Sequence, residues 1–284
     1  NYIEVLETIT TAESLTSSET QKARKIIHRI RAKEVILATG AHERPMLFEA
    51  NDLTNIMLSQ SVRRYLHEYG VISGKKVVIY GNNDSIYSAA RDLHVNGIEC
   101  IVVDVRSSED PIEIVAELKH SDVKVLQGYS IVKALGSHRV KGVEIVQTKL
   151  QGNDWQVFGD TQTLSCDLLA TSGGFNPVVH LDCHNGAKTY FDEVSQSFLP
   201  QQERDNREVC GAVAGAGAWQ DAINDGKNKA QFTLNALGAV SKLTQEILSE
   251  NYSNYFNVSQ FFTPKEILNK PKVFLDLQND SPSQ

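Results

Sequence analysis

The apolar run Glu34-Val35-Ile36-Leu37 leads straight into Ala38-Thr39-Gly40, and no other stretch narrows the choice of fold as much. Such a run reads as a short buried strand. A strand that ends in Ala-Thr-Gly puts small residues where the backbone must come close to something else, and glycine allows that approach without a side-chain clash. The motif returns in altered form as Ala170-Thr171-Ser172-Gly173-Gly174-Phe175-Asn176-Pro177, again behind a predicted strand at 163–170. Such duplication is expected where one dinucleotide-type domain is inserted into another.

The rest of the chain falls into place around these two turns. Segments 2–10, 24–31 and 33–39 read as a small meander, with a polar loop over Thr16-Ser17-Ser18-Glu19-Thr20. Lys76-Val77-Val78-Ile79-Tyr80-Gly81 is a continuous apolar run of parallel-sheet type. A helix over 84–95, with Asp84 or Ser85 as N-cap, and a strand over 99–104 complete a β-α-β unit. A helix at 111–119 follows, then strands at 122–126, 129–135 and 139–147 and a hairpin turn region at 151–160. A last strand, 208–213, runs into Ala214-Gly215-Ala216-Gly217-Ala218, with helices at 219–236 and 237–250 behind it. The domains implied are 1–70 with 166–284, interrupted by a Rossmann-like unit at 71–165.

Composition removes several classes of function. A net charge of -7 argues against a nucleic-acid or acidic-lipid partner, because both favour a basic surface. No apolar run approaches the roughly 18 residues that cross a bilayer. The four cysteines form no C-x-x-C pair, which excludes a redox-active disulfide of that spacing and the usual structural zinc spacing. Isolated cysteines pack as small hydrophobes in a reducing compartment, so a cytoplasmic location is expected. The chain begins at Asn1 and enters strand-like sequence at once, as expected of the middle of a longer polypeptide.

Four motifs bear on chemistry. A working G-x-G-x-x-G turn needs its second glycine so that a pyrophosphate can reach the helix N-terminus. In Gly81-Asn82-Asn83-Asp84-Ser85-Ile86, Asn83 stands there and Asp84 adds a negative charge, although Asp104 occupies the place of a ribose-binding acid. The unit therefore reads as scaffold without a nucleotide. His42-Glu43-Arg44 reads as a charged loop that holds a domain junction, with acid–base catalysis as the alternative, and it is not H-E-x-x-H. Asp182-Cys183-His184 has no second motif to complete a metal or nucleophile site. Ala222, Gly226 and Ala230 form a small-residue stripe suited to close helix packing.

The first turn resembles that of two-dinucleotide-binding flavoproteins of the glutathione reductase type. The longer string ATGAHERP, with Asn51-Asp52, Val62-Arg63-Arg64-Tyr65-Leu66, Asn82-Asn83-Asp84-Ser85, Ser172–Leu181 and Phe274–Asp280, resembles the alpha subunit of heterotetrameric sarcosine oxidase. That resemblance implies an α/β, FAD/NAD(P)-binding fold with an inserted second Rossmann-like domain. It implies the central part of a subunit that holds NAD and works with beta, gamma and delta subunits. The complex would oxidise sarcosine to glycine, releasing hydrogen peroxide and forming methylene-tetrahydrofolate. FAD would sit on the beta subunit, FMN at the alpha–beta interface, and tetrahydrofolate on a C-terminal domain entered through 274–280. At Gly215-Ala216 the flavoprotein pattern has Gly-Asp, whose carboxylate accepts from a flavin ribityl hydroxyl; a buried hydroxyl left without an acceptor costs roughly 1–3 kcal/mol. The place suits NAD better than FAD. The expected NAD shell is Val5, Ala38, Thr39, Gly40, Gly215, Ala216, Gly217 and Trp219, with phosphate held by N–H groups at the start of the helix. No catalytic or metal-ligating residue is expected. The alternatives are an NAD(P)H-dependent flavin reductase, the alpha subunit of another amine or imino-acid oxidase, and an interaction module without a cofactor.

Overall fold

The computed structural model describes residues 2–8, 25–107, 115, 118, 121–152, 154–184, 186–201, 206–239, 258, 263–264, 267, 273–276 and 281–282. Strands β1 (Ile3–Thr8) and β2 (Lys25–Ile30) pair antiparallel and are exposed along their whole length. The polar loop expected at 16–20 lies outside the described residues. Strand β3 (Val35–Leu37) precedes Ala38-Thr39-Gly40, and Gly40 at φ 77° turns the chain into β4 (Ala41–Glu43). Strand β5 (Ile56–Leu58) leads directly into helix α1 (Ser59–Tyr69). The sequence reading leaves that helix unassigned. Its signal is Val62 and Leu66 one turn apart, with Gly70 at φ 63° closing it through bonds from Gly70 and Val71 to the Leu66 and Tyr65 carbonyls.

The next strands form a five-stranded sheet and a three-stranded meander. Strand β6 (Lys76–Gly81) feeds helix α2 (Ser85–Val95), and β7 (Glu99–Asp104) and β8 (Lys124–Gln127) follow. Of the helix expected at 111–119, only Val115 and Leu118 are described, both buried. Strands β9 (Tyr129–Gly136), β10 (Val140–Gln151) and β11 (Asp154–Ser165) make the antiparallel meander, and β12 (Leu168–Ser172) returns to the parallel sheet. The parallel order is β5-β12-β6-β7-β8, so the sheet includes strands from either side of 71–165. The turn region expected at 151–160 is instead a reversal at Gly152 (φ 65°) between two long strands. Trp155, Val157, Phe158, Thr161 and Thr163 favour extended backbone, which carries the ribbon through that region.

Strand β6 is buried on both faces. Val77 and Ile79 enter a core with Val62, Ile86 and Leu93 from the helices. Val78 and Tyr80 enter a second core with Phe48 and the meander residues Ile131, Val143 and Ile145. Each such aliphatic side chain contributes roughly 1.5–3 kcal/mol when withdrawn from water, so this unit is the mechanical centre of the chain.

The remaining elements are β13 (Phe175–Pro177), α3 (His180–His184), β14 (Thr189–Asp192), β15 (Ser197–Pro200), β16 (Arg207–Val209), α4 (Trp219–Ala236), β17 (Phe274–Asp276) and β18 (Ser281–Pro282). Strand β16 runs parallel to β3, with Val209 opposite Leu37. It ends well short of the expected 213. Gly211 at φ 80° breaks the extended run, and Gly211–Ala214 form a 3-10 turn closed by Gly215 at φ 92°. The helix expected at 237–250 lies outside the described residues from 240 onward; Leu237 ends α4.

Candidate functional site

Two strand ends bring most of the expected shell together. The Cys210 N–H donates to the Leu37 carbonyl at 2.9 Å, which sets the turn after β3 beside the turn after β16. The Thr39 hydroxyl donates to the Val178 carbonyl at 2.7 Å, and Gly40 accepts from the Val178 N–H at 2.9 Å. In the second turn, Ala216 donates to Gly211 at 3.1 Å, Gly217 is buried, and Trp219 heads α4 while 47% exposed. Val5 lies on the separate β1–β2 ribbon. A cavity of about 630 Å³ lies between that ribbon and β3, walled by Ile3, Ile30, Val35, Leu37, Leu181 and Arg207.

The fit of a dinucleotide follows from the backbone. A Cβ on Gly40 would meet nothing within 4 Å, so that turn faces open space, whereas one on Gly215 would come within 3.1 Å of Leu199. Neither Ala212, behind the first glycine of the turn, nor Ala216, behind Gly215, carries a carboxylate. The nearby acid, Asp225 of α4, accepts from the Gly211 N–H at 2.8 Å. The Gly40 turn is open, the Gly215 turn is packed on Leu199, and neither 212 nor 216 offers a carboxylate of the flavoprotein kind for a ribityl chain.

The inserted sheet is different. Its order reverses between β6 and β12, and in open parallel sheets ligands enter outside the carboxyl ends at such a switch point. Here that edge is filled. The Asn83 amide, fully buried, donates to the Ser172 carbonyl at 3.1 Å and its hydroxyl at 3.0 Å. Its oxygen accepts from the Ser85 N–H at 3.1 Å, and Asp84 stands at the N-cap of α2, as expected, without a side-chain bond to the helix. Asp84 pairs instead with Arg106 at 2.7 Å. Asp104, the expected ribose acid, is fully buried, binds Arg106 at 2.8 Å and accepts from the Tyr87 hydroxyl. Burial opposes the Arg106 charge, yet the two carboxylates hold its pKa above the ordinary value. Burial also pushes Asp84 upward against the pull of Arg106. The only sequence signal for Arg106 is a base two positions beyond the strand-end acid.

A two-stranded ribbon joins the sheets, with β4 antiparallel to β13 and Glu43 opposite Phe175. Arg44 donates to the Gly173 carbonyl at 3.1 Å and the Gln196 carbonyl at 2.6 Å, clamping the second glycine turn. The Glu43 carboxylate accepts from the Gln60 N–H at the start of α1 at 2.8 Å. Burial pushes the Glu43 carboxyl up to about 7, against the pull of that bond, of the Ser172 and Ser59 hydroxyls and of Arg63. Asp182 is buried and ion-paired with Arg207, which ties α3 to β16. Burial pushes the Cys100 thiol up to about 11 and that of Cys166 to about 12, as befits inert packing residues. Among the described residues no cluster of three His, Cys, Asp or Glu side chains could hold a metal, and no helix is long and apolar enough to cross a membrane.

No family model matches the chain. It is 36% identical over 204 residues to the sarcosine oxidase subunit alpha of Corynebacterium sp. (strain P-1), a match covering 72% of this chain and 21% of that one. It is 28% identical over 254 residues to the subunit of the same name from Rhizobium meliloti (strain 1021), covering 89% of this chain and 24% of that one. The chain thus spans between a fifth and a quarter of the length of these relatives. The crystal structure of L-proline dehydrogenase from P. horikoshii superposes with a TM-score of 0.62 at 17% identity, covering 87% of this chain and 44% of that one. The fold is that of FAD/NAD(P)-binding oxidoreductases. Over the matched stretch, 72% of this chain, it is a homologue of the sarcosine oxidase alpha subunit.

Proposed function

We propose that this chain is the dinucleotide-holding core of an oxidoreductase subunit, and that the dinucleotide is NAD. The observation that carries the reading is the pair of adjacent glycine turns after β3 and β16, open at Gly40 and without a carboxylate at 212 or 216. Ala38, Thr39 and Gly40 would admit the adenosine half. Gly215, Ala216 and Gly217, with the first N–H groups of α4 behind Trp219, would face the phosphates or the nicotinamide half. Val5 and the β1–β2 ribbon would flank the adenosine end. In this reading residues 1–70 with 166–284 carry the site and the unit at 71–165 is scaffold, with β5 and β12 from the first part completing the five-stranded sheet.

In the intact complex the chain contributes no catalytic residue. Sarcosine would lose a hydride from its methyl carbon to FAD on the beta subunit and a proton from its nitrogen, with FMN at the alpha–beta interface passing the electrons to oxygen and tetrahydrofolate taking up the remaining methylene unit. Gamma and delta subunits would complete the assembly. A flavin reductase is disfavoured, because Asn83 and Arg106 close the second nucleotide cleft and no carboxylate stands at 212 or 216 to meet a flavin.

The test is Gly215→Leu in the full-length alpha subunit, assembled with its partners. Its side chain would press on Leu199 at a backbone φ of 92°. NAD released from the denatured complex, measured by mass spectrometry, should fall at least about tenfold, while sarcosine oxidation persists. A variant complex with full NAD content would show that this turn does not form the pocket.

A further inference from the structure

The carboxyl edge of the inserted sheet is filled by more than its own turn. Val258, far along the chain, forms an antiparallel bridge with Asn83. Its two γ-methyl carbons lie 3.0 and 3.2 Å from where a Cβ on Gly174 would stand. Val258 is therefore wedged between the turn after β6 and the turn after β12, at the switch point itself, and is only 6% exposed.

Later described residues also pack against this unit. Ile267 is fully buried in the core that holds Val78 and Tyr80 of β6. Val273 is 1% exposed. The next residue, Phe274, is gripped by one side chain. Buried Asn51 donates from Nδ2 to the Phe274 carbonyl at 2.8 Å and accepts from the Phe274 N–H at 3.0 Å. An amide side chain that satisfies both backbone groups of one residue fixes its position and direction.

We infer that the switch-point crevice is the seat of Val258, with Asn51 fixing the position of Phe274 beside the same unit. The unit then serves as an anchor for these later residues of the chain, and a pyridine nucleotide has no access to the crevice. Arg106 completes the closure, because its guanidinium already satisfies both acids that a nucleotide cleft would leave free.

The experiment uses the full 284-residue chain. Val258→Asp, Val258→Gly and the parent are compared by site-resolved amide hydrogen exchange and by fluorescence titration with NADH. Unseating Val258 should speed exchange at Ser85, Gly173 and Gly174 by about tenfold or more while β6 and β7 stay protected. With the β3–β16 turn blocked by Gly215→Leu, the chain should show no saturable NADH binding tighter than about millimolar. Should Val258→Asp fail to fold, Val258→Gly decides, with the same direction and a smaller effect. Unchanged exchange at these turns in a folded variant, or micromolar NADH binding that survives Gly215→Leu, overturns the inference. Neither outcome bears on NAD at the β3–β16 turns, since NADH bound at those turns would survive Asn83→Asp and be lost with Gly215→Leu.

Discussion

Glu43 has surroundings that oppose its charge. Burial raises its pKa from 4.5 to about 7. Between those two values the folded chain binds more protons than the unfolded chain, so this group's contribution to stability is full below about 4.5 and falls as pH rises to about 7. Glu43→Gln keeps an oxygen for the Gln60 N–H and removes the titration. The variant should match the parent at pH 4.5 and exceed it at pH 8 by up to about 3 kcal/mol, from 1.36 kcal/mol per pKa unit. Urea unfolding of both proteins at the two pH values measures this. A variant less stable than the parent at pH 8 would mean that the Glu43 charge is stabilising at the junction. Asn83 and Ala216 disclose from sequence that something departs from a working nucleotide turn. The burial of Glu43 and the role of Arg106 do not, because both depend on neighbours brought from Gln60, Ser172 and Asp84 by the fold.

The turn between β16 and α4 is held by a contact between elements. The Gly211 N–H, partly buried at φ 80°, is satisfied by Asp225 two turns into α4. Removing that acceptor should cost roughly 1–2 kcal/mol, the usual penalty for orphaning a buried donor. Asp225→Ala should therefore lower stability by about that amount, and Asp225→Asn, which keeps an oxygen, should recover most of it. Equal losses in thermal melts of the two variants would assign the effect to charge near the start of α4 instead. At this scale the sequence is legible where burial is two-sided and periodicity is plain. Lys76–Gly81, 84–95 and the 219–236 helix appear nearly as read. It is least legible where short strands exist because of distant partners. Ala41–Glu43 is extended because Phe175–Pro177 lies beside it, and Arg207–Val209 stops early because Gly211 turns left-handed. Neither constraint is local.

The whole molecule divides into a heavily buried unit and a lightly buried margin. The five-stranded sheet has cores on both faces, whereas β1 and β2 form a two-stranded ribbon with every residue exposed, including Ile3, Val5, Leu6, Ile26, Ile27 and Ile30. Surface ion pairs such as Arg29–Glu4 at 2.8 Å add little, since exposed pairs contribute about 0–1 kcal/mol. Two strands without a covered face are marginal in water. Opening of the ribbon should therefore be local, while opening of β6 requires loss of both cores. In native-state hydrogen exchange, amides of Leu6 and Ile27 should exchange at least about a hundredfold faster than those of Val78 and Ile79. Added urea should speed exchange at Val78 and Ile79 steeply and at Leu6 and Ile27 hardly at all, because only the first pair exposes large surface on opening. Equal protection in ribbon and sheet, with one common urea dependence, would mean that the ribbon is folded into the same cooperative unit. The apolar positions of β1 and β2 would then have to be covered by a contact that the described residues do not make.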